Sequence, residues 1–242
     1  MKLLSTDMTV GQIVAEEPRR SRVFERAGID YCCGGRRTLI AACQAKGLSA
    51  DTLLQEILAE DDTASGTTAG SAADWGHTPL AALCDHIVET HHAYLQAALP
   101  RLSALTEKVA SAHGSRDPRL CTLRDVFAAF RTEMEEHTRK EEAILFPLIG
   151  CLDASPISYA RSVAQPIAVM TAEHDAAGAA LAEMRNLTDG YTPPPNACNT
   201  YRALLAALAE LEADTHRHVH KENHILFPRA LEYVSPLVAA GA

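Results

Sequence analysis

Two strings in the second half of the chain carry the same side-chain chemistry at the same spacing. His137-Thr138-Arg139-Lys140-Glu141-Glu142-Ala143-Ile144-Leu145-Phe146-Pro147 and His218-Val219-His220-Lys221-Glu222-Asn223-His224-Ile225-Leu226-Phe227-Pro228 both read His-x-x-x-Glu and then Ile-Leu-Phe-Pro, offset by 81 residues (218 − 137). Helical positions four apart lie one turn above each other, so each string presents an imidazole beside a carboxylate. One such pair on a helix surface is ordinarily a solvated couple worth little. Its duplication points instead to two helices that converge two His and two Glu on one buried centre.

The same spacing searches the helices that precede each string. His174 lies 44 residues before His218 and His92 lies 45 before His137, whereas His86 lies 51 before. Moving His86 by the 82 residues that relate His92 to His174 lands on Ala168, which has no donor. The set is therefore His92, His137, Glu141, His174, His218 and Glu222: a duplicated helical hairpin, each half contributing two His and one Glu. Burying these groups in an apolar bundle is costly unless a cation compensates. Carboxylate and imidazole donors without a thiolate suit iron or manganese better than structural zinc. Two bridging Glu would hold two metals about 3.5–4 Å apart. Glu133 and Asp214, each four residues before a ligand His, and Glu173, adjacent to His174, are expected to form an outer layer that accepts a ligand N–H or lines an ion path. His86, His91, His216, His220 and His224 gain no partner from the repeat and are expected to be ordinary surface or core residues. His77 and His113 carry no signal, and Phe146-Pro147 and Phe227-Pro228 are expected to pack helix ends.

These residues need long helices to position them. The 242 residues are 47% hydrophobic but only 5% aromatic, which favours helices packed on small side chains and an all-α class. Hydrophobic periodicity predicts four amphipathic helices over 79–112, 118–150, 158–188 and 197–232, connected as an up-down four-helix bundle. Pro100 and Pro166 predict a kink or a revised helix start. Upstream, short helices are predicted over Thr9–Val14, Ser21–Ala27, Leu39–Ala45 and Asp51–Glu60, with Asp51 as an N-cap. The small polar string from Asp61 to Ser71 has the composition of a linker. The expected organisation is a small helical domain over 1–60, a linker over 61–76 and the bundle over 77–236.

The formal charge of −9, with no run of Lys and Arg longer than a pair such as Arg36-Arg37, argues against nucleic acid as a partner. No stretch reaches the apolar length of a membrane span, so a soluble, cytoplasmic protein is expected. The seven cysteines form no disulfide framework. Cys32-Cys33, in a turn before Gly34-Gly35, are candidate redox or soft-metal thiols, because the strained ring of a vicinal disulfide disfavours their bonding to each other. Cys43, Cys84, Cys121, Cys151 and Cys198 are expected to be packing residues.

Asp30-Tyr31-Cys32-Cys33-Gly34-Gly35, a linker, and then His137-x3-Glu141, Glu173-His174-Asp175 and His218-x3-Glu222-Asn223-His224-Ile225-Leu226-Phe227-Pro228 together resemble the repair of iron centres proteins of YtfE, ScdA or NorA type, which have a hemerythrin-like domain. The resemblance covers nearly the whole chain. It implies a non-haem centre of two irons, carboxylate-bridged by Glu141 and Glu222 and oxo- or hydroxo-bridged when oxidised, with His92, His137, His174 and His218 as the imidazoles. It also implies a role in the nitrosative and oxidative stress response, repairing damaged iron-sulfur clusters by donating iron, with Cys32 and Cys33 contributing. Damaged iron-sulfur proteins would be the clients, nitric oxide or oxygen-derived molecules the small ligands, and a homodimer the assembly. Binding or reduction of nitric oxide at the two irons is the alternative, with no catalytic group separate from the metal site. Oxygen-carrying hemerythrins use more histidines, and the repeat supplies no fifth. The stretch from Asp153 to Gln165 is longer than the resemblance implies.

Overall fold

The apolar stripe of the second long helix reads Leu120, Leu123, Phe127, Phe130, Met134, and then, at the same three- and four-residue steps, His137, Glu141 and Leu145, all buried. The candidate ligands thus sit on the buried stripe of a helix, where a polar group must find a partner. The other three long helices behave alike. In a computed structural model that describes residues 4–64, 75–153 and 156–233, these stripes face one another across a four-rod bundle.

The first rod comprises α5 (Leu80–Ile87), a π-helical turn (Val88–His92) and α6 (Ala93–His113). The second comprises α7 (Arg119–Lys140), a π turn (Glu141–Leu145) and α8 (Phe146–Leu152). The third is α9 (Pro156–Leu187), and the fourth comprises α10 (Asn199–Lys221), a π turn (Glu222–Leu226) and α11 (Phe227–Glu232). α6 packs on α7 and α10, and α7 on α9, in the up-down order expected. Pro100 and Pro166 both lie inside continuous helices, so of the two expectations the revised helix start is ruled out at each. Most of the long 153–165 stretch is the first turns of α9, which begins at Pro156.

Two hydrophobic clusters fill the bundle on either side of the candidate ligands. One runs from Leu95 and Leu99 through Phe127, Phe130 and Met134 to Leu208 and Leu211. The other contains Leu83, Ile87, Leu145, Phe146, Met170 and Leu226. Each candidate ligand lies in sequence between a member of one cluster and a member of the other.

The N-terminal residues form α1 (Val10–Glu16), a 3-10 turn (Pro18–Arg20), α2 (Ser21–Ala27), α3 (Leu39–Lys46) and α4 (Ala50–Ala64). Thr9 caps α1 in a reciprocal box with Gln12, and Thr38 caps α3. Asp51 does not cap α4. Ser49 does, its Oγ accepting the Thr52 N–H at 3.3 Å, and Asp51 falls in the first turn instead. α4 also runs four residues past the predicted end at Glu60, because buried Arg20 draws Asp61 into an ion pair at 2.8 Å. Of the predicted linker, residues 65–74 lie outside the described residues.

These helices share a core of their own around Ile13, Phe24, Tyr31 and Leu39, and α1 packs on α10 and its π turn. The seam is keyed by glycine. A Cβ on Gly11 would stand 2.3 Å from the His224 ring, so only a bare Cα admits that imidazole. Gly11→Ala is expected to destabilise the chain by about 1–3 kcal/mol, as overpacking does. Denaturant melts check this, and an unchanged midpoint would mean that the ring moves aside freely. Among the described residues no helix is long and apolar enough to cross a membrane.

Candidate metal centre

The six side chains chosen from the repeat come together in the middle of the bundle. His92, Glu141, His218 and Glu222 form one group with donor atoms all within 4.8 Å of one another, and His137, Glu141, His174 and Glu222 form a second. The two glutamates belong to both groups. Each is fully buried, as are His174 and His218.

Distances around the glutamates are short. Glu222 Oε2 lies 3.0 Å from His174 Nε2, and Glu222 Oε1 lies 3.1 Å from His218 Nε2. Glu141 lies 3.3 Å from both His137 and His92. Despite these approaches, neither oxygen of Glu141, nor Oε2 of Glu222, has a hydrogen bond of acceptable geometry. The imidazoles show the complementary feature. His92 Nδ1 donates to Glu142 at 2.8 Å, His137 Nδ1 to Glu173 at 2.9 Å and His174 Nδ1 to Asn223 Oδ1 at 2.9 Å. In their neutral forms, with the proton placed on Nδ1, these three rings turn bare Nε2 lone pairs inward; His137 and His174 meet Nε2 to Nε2 at 3.1 Å, and His92 Nε2 lies 3.3 Å from that of His218, whose own Nδ1 has no acceptor. Two lone pairs facing as they do at His137 and His174 repel unless a positive charge stands between them.

Titration directions show the same demand. Burial alone would lower the His137 pKa, yet the Glu141 and Glu222 carboxylates overcome it and raise it to about 9. His92 is raised against its burial by Glu141. Burial would raise the pKa of Glu222, but His218 and His174 hold it well below the carboxylate range. An interior that keeps carboxylates ionised and recruits protons to its imidazoles is an interior built for cations. The donor set fits a pair of iron or manganese ions.

Of the three residues expected to form an outer layer, Glu173 touches a ligand. It accepts from His137 Nδ1 and is itself held by Lys140. Asp214 is buried but accepts from His91 Nδ1 at 3.0 Å, so it acts on a neighbour of the set. Glu133 is exposed and lines a cleft beside His137. Stepping back four residues rotates it onto the helix shoulder, while Met134 takes the buried position. Two acceptors were missed, Glu142 and Asn223. They are repeat partners (223 − 142 = 81), each directly after one of the two shared glutamates, so the spacing already contained the signal.

The phenylalanines of the Ile-Leu-Phe-Pro strings do not pack helix ends, since both helices continue past them. Phe146 stacks on the His92 ring at 5.6 Å and 15°, and Phe227 on His174 at 5.9 Å and 3°. His91 is not ordinary either: it stacks on His218 at 5.4 Å and accepts from Lys221 Nζ at 2.6 Å. Cys32 is buried and Cys33 half-buried, with no disulfide between them and their Sγ atoms 3.6 Å apart, within reach of a thiol hydrogen bond. Cys33 Sγ–H donates to the His174 carbonyl at 3.1 Å, bringing the N-terminal loop against the bundle at that residue. Cys198 is exposed beside His113, so it does not serve packing.

Removing an acceptor from a metal-ligating imidazole typically weakens metal binding 10–100-fold. Asn223→Ala is expected to lower affinity by that factor with the fold intact. Competitive chelator titration reads it, and unchanged affinity would remove Asn223 from the centre.

Comparison with known proteins gives matches over both regions. The hemerythrin HHE cation binding domain matches residues 85–230, and the ScdA_N domain of unknown function matches residues 6–61. The chain is similar to the iron-sulfur cluster repair protein YtfE of Pectobacterium carotovorum, 36% identical over 228 residues that cover 93% of this chain and 97% of the relative. It is similar to the protein of the same name from Yersinia pestis, 36% identical over 225 residues with the same coverage.

Proposed function

We propose, because the chain belongs to the family of YtfE-type iron-sulfur cluster repair proteins built on a hemerythrin HHE cation binding domain, that it repairs damaged iron-sulfur clusters by donating ferrous iron from a dinuclear centre. One metal would be held by His92 and His218, the other by His137 and His174, with Glu141 and Glu222 shared between them. The observation that carries this reading is the convergence of four imidazoles, the Nε2 atoms of His137 and His174 facing at 3.1 Å, on two buried glutamates with three orphaned carboxylate oxygens. Bound iron would supply ferrous ions in an open ligation of oxygen and nitrogen donors, which holds them less tightly than a closed thiolate cage.

The protein's own groups orient that centre. Glu142, Glu173 and Asn223 fix three imidazoles, and Phe146 and Phe227 keep two of them flat against apolar rings. Clients would be damaged iron-sulfur proteins, the compartment the cytoplasm and the assembly a homodimer. Protein loaded with labelled ferrous iron should restore a cluster-damaged enzyme and transfer label to it. Transfer no better than that from free iron would overturn the proposal.

Nitric oxide chemistry is the second reading, favoured by a cleft of about 570 Å3 that reaches His92 and Glu142 and would admit a diatomic molecule. Anaerobic mixing of the diferrous protein with nitric oxide separates the alternatives. Repeated turnover to nitrous oxide would make the protein a reductase, and a single uptake without nitrous oxide would make it a trap.

A further inference from the structure

α10 and the π turn after it carry three histidines four residues apart, His216, His220 and His224, none of which belongs to the dinuclear set. Spaced one turn apart, they present a ladder of imidazoles to the N-terminal loop. Tyr31 meets the rings of His216 and His220 edge-on at 5.9 and 5.5 Å, His220 stacks on His224 at 5.1 Å, and His224 Nε2 donates to the Cys32 carbonyl at 2.8 Å. Opposite His216 the loop supplies a carboxylate and a thiol. Donor atoms of Asp30, Cys32 and His216 all lie within 4.8 Å of one another.

The carboxylate is held in place by the loop itself: Asp30 Oδ1 accepts the N–H groups of Cys32 and Cys33 at 2.9 and 3.0 Å, and Oδ2 accepts that of Gly34 at 2.9 Å. Cys32 Sγ–H points at Asp30 Oδ1, 3.1 Å away, the direction from which a cation would replace its proton. His216 makes no close bond, its nearest carboxylate, Glu212, being 3.9 Å away. One turn on, His220 is 4% exposed, yet neither of its ring nitrogens has a hydrogen bond. A loop cap alone would account for Asp30. It does not account for two imidazoles with so few hydrogen-bond partners gathered beside that thiol at a seam, an arrangement that costs free energy unless something binds. A cavity of about 380 Å3 opens between the loop, α9 and α10, and both Asp30 and His216 line it.

We propose that Asp30, Cys32 and His216 form a second, mononuclear site for a borderline divalent cation, ferrous iron or zinc, with its remaining positions open to this cavity. Mixed carboxylate, thiolate and imidazole donors suit such ions, and three protein ligands leave an exchangeable position. On binding, the Cys32 S–H bond breaks, a sulfur–metal bond forms and the proton leaves to solvent, with no change of oxidation state. Cys33 is not a ligand, because its sulfur is committed to the His174 carbonyl. Only the choice of ferrous iron as natural occupant, cargo resting beside the centre that stores it, depends on the repair reading. The site itself does not.

Cobalt(II) titration of the full-length, metal-free protein tests the site, because the dinuclear centre contains no sulfur. The expected result is a thiolate-to-cobalt charge-transfer band that saturates with one equivalent, alongside sulfur-free equivalents in the bundle. Cys32→Ser and His216→Asn should each lose the band and one bound ion, while Cys33→Ser keeps both. Should Cys32→Ser fail to fold by circular dichroism, His216→Asn, whose side chain is part exposed and weakly held, decides the matter. Bleaching of the band by one equivalent of zinc or of ferrous iron under argon identifies the occupant. A wild-type protein without the band, or a band that survives His216→Asn, overturns the proposal. A thiolate band without sulfur-free equivalents would instead overturn the dinuclear reading and leave this one standing.

Discussion

Glu222→Ala is expected to abolish dinuclear metal binding while leaving the bundle folded. Glu222 is fully buried between His174 at 3.0 Å and His218 at 3.1 Å, one imidazole from each candidate metal position, so its loss withdraws a negative donor from both. No other residue except Glu141 belongs to both groups. The apolar clusters on either side are untouched, and the gap left behind costs no more than a core truncation of about 2–5 kcal/mol. Bound metal stabilises the native state by mass action, about 4 kcal/mol when free metal exceeds the dissociation constant a thousandfold. Thermal melts of the wild type should therefore fall on adding chelator, while those of Glu222→Ala stay where they are. Metal analysis of the purified variant is the direct measurement, and wild-type metal content would mean that the repeat identifies the wrong residues.

The second large effect concerns the inequality of the two halves. The repeat pairs Lys140 with Lys221 (offset 81) and Glu173 with His91 (offset 82). In one such pairing Lys140, from the first copy, holds Glu173, from the second, which accepts from His137 Nδ1. In the other Lys221 holds His91, which stacks on His218 and leaves His218 Nδ1 without a hydrogen bond. An imidazole with no acceptor behind it is a less basic and less firmly oriented ligand. A chelator is accordingly expected to strip the metal at His92 and His218 before the metal at His137 and His174, with affinities separated by about 10–100-fold. His91→Glu would recreate the arrangement of the other half, with Lys221 already in position to hold the new carboxylate. It should slow the fast phase by about the same factor. Release in a single phase from the wild type, or no change in His91→Glu, would show that the missing acceptor is immaterial.

Much of this centre was legible because ligands obey periodicity twice, once within a helix and once across the duplication. The helices were read from their apolar periods and the ligands from the repeat, and the two agree because His92, His137, His174 and His218 continue the buried stripes of their helices. Glu133 does not reach a ligand for a geometric reason: an i−4 step keeps a residue near the same face but not on it, and the i−3 residue Met134 holds the buried position, which leaves Glu133 on the wall of the cleft beside His137. His91 was misread because the repeat was searched for like residues, whereas an imidazole stands where the other half has a carboxylate. Asp51 looked like a cap because of its residue type, but Ser49 had the required backbone position. The seam lay beyond local pattern altogether. Nothing in Gly11 or in Asp30-Tyr31-Cys32-Cys33 announces that His216, His220 and His224, nearly two hundred residues away, will be laid against them, since that is decided by packing between cores.

The π turns at Glu141–Leu145 and Glu222–Leu226 occupy equivalent places in the two halves. Such a turn is an α-helix with one surplus residue, and it survives where function repays the lost regularity. Shared placement makes the simplest history one in which the surplus residue entered an ancestral hairpin before that hairpin was copied. The third π turn, Val88–His92, has as its counterpart the stretch ending at His174, which is regular α-helix, so the two copies have since diverged there. Deleting Ala143 would undo that ancient insertion. It would yield a straighter helix that swings Phe146 and Leu145 away from the ligand rings, a rod better suited to standing alone than to holding iron.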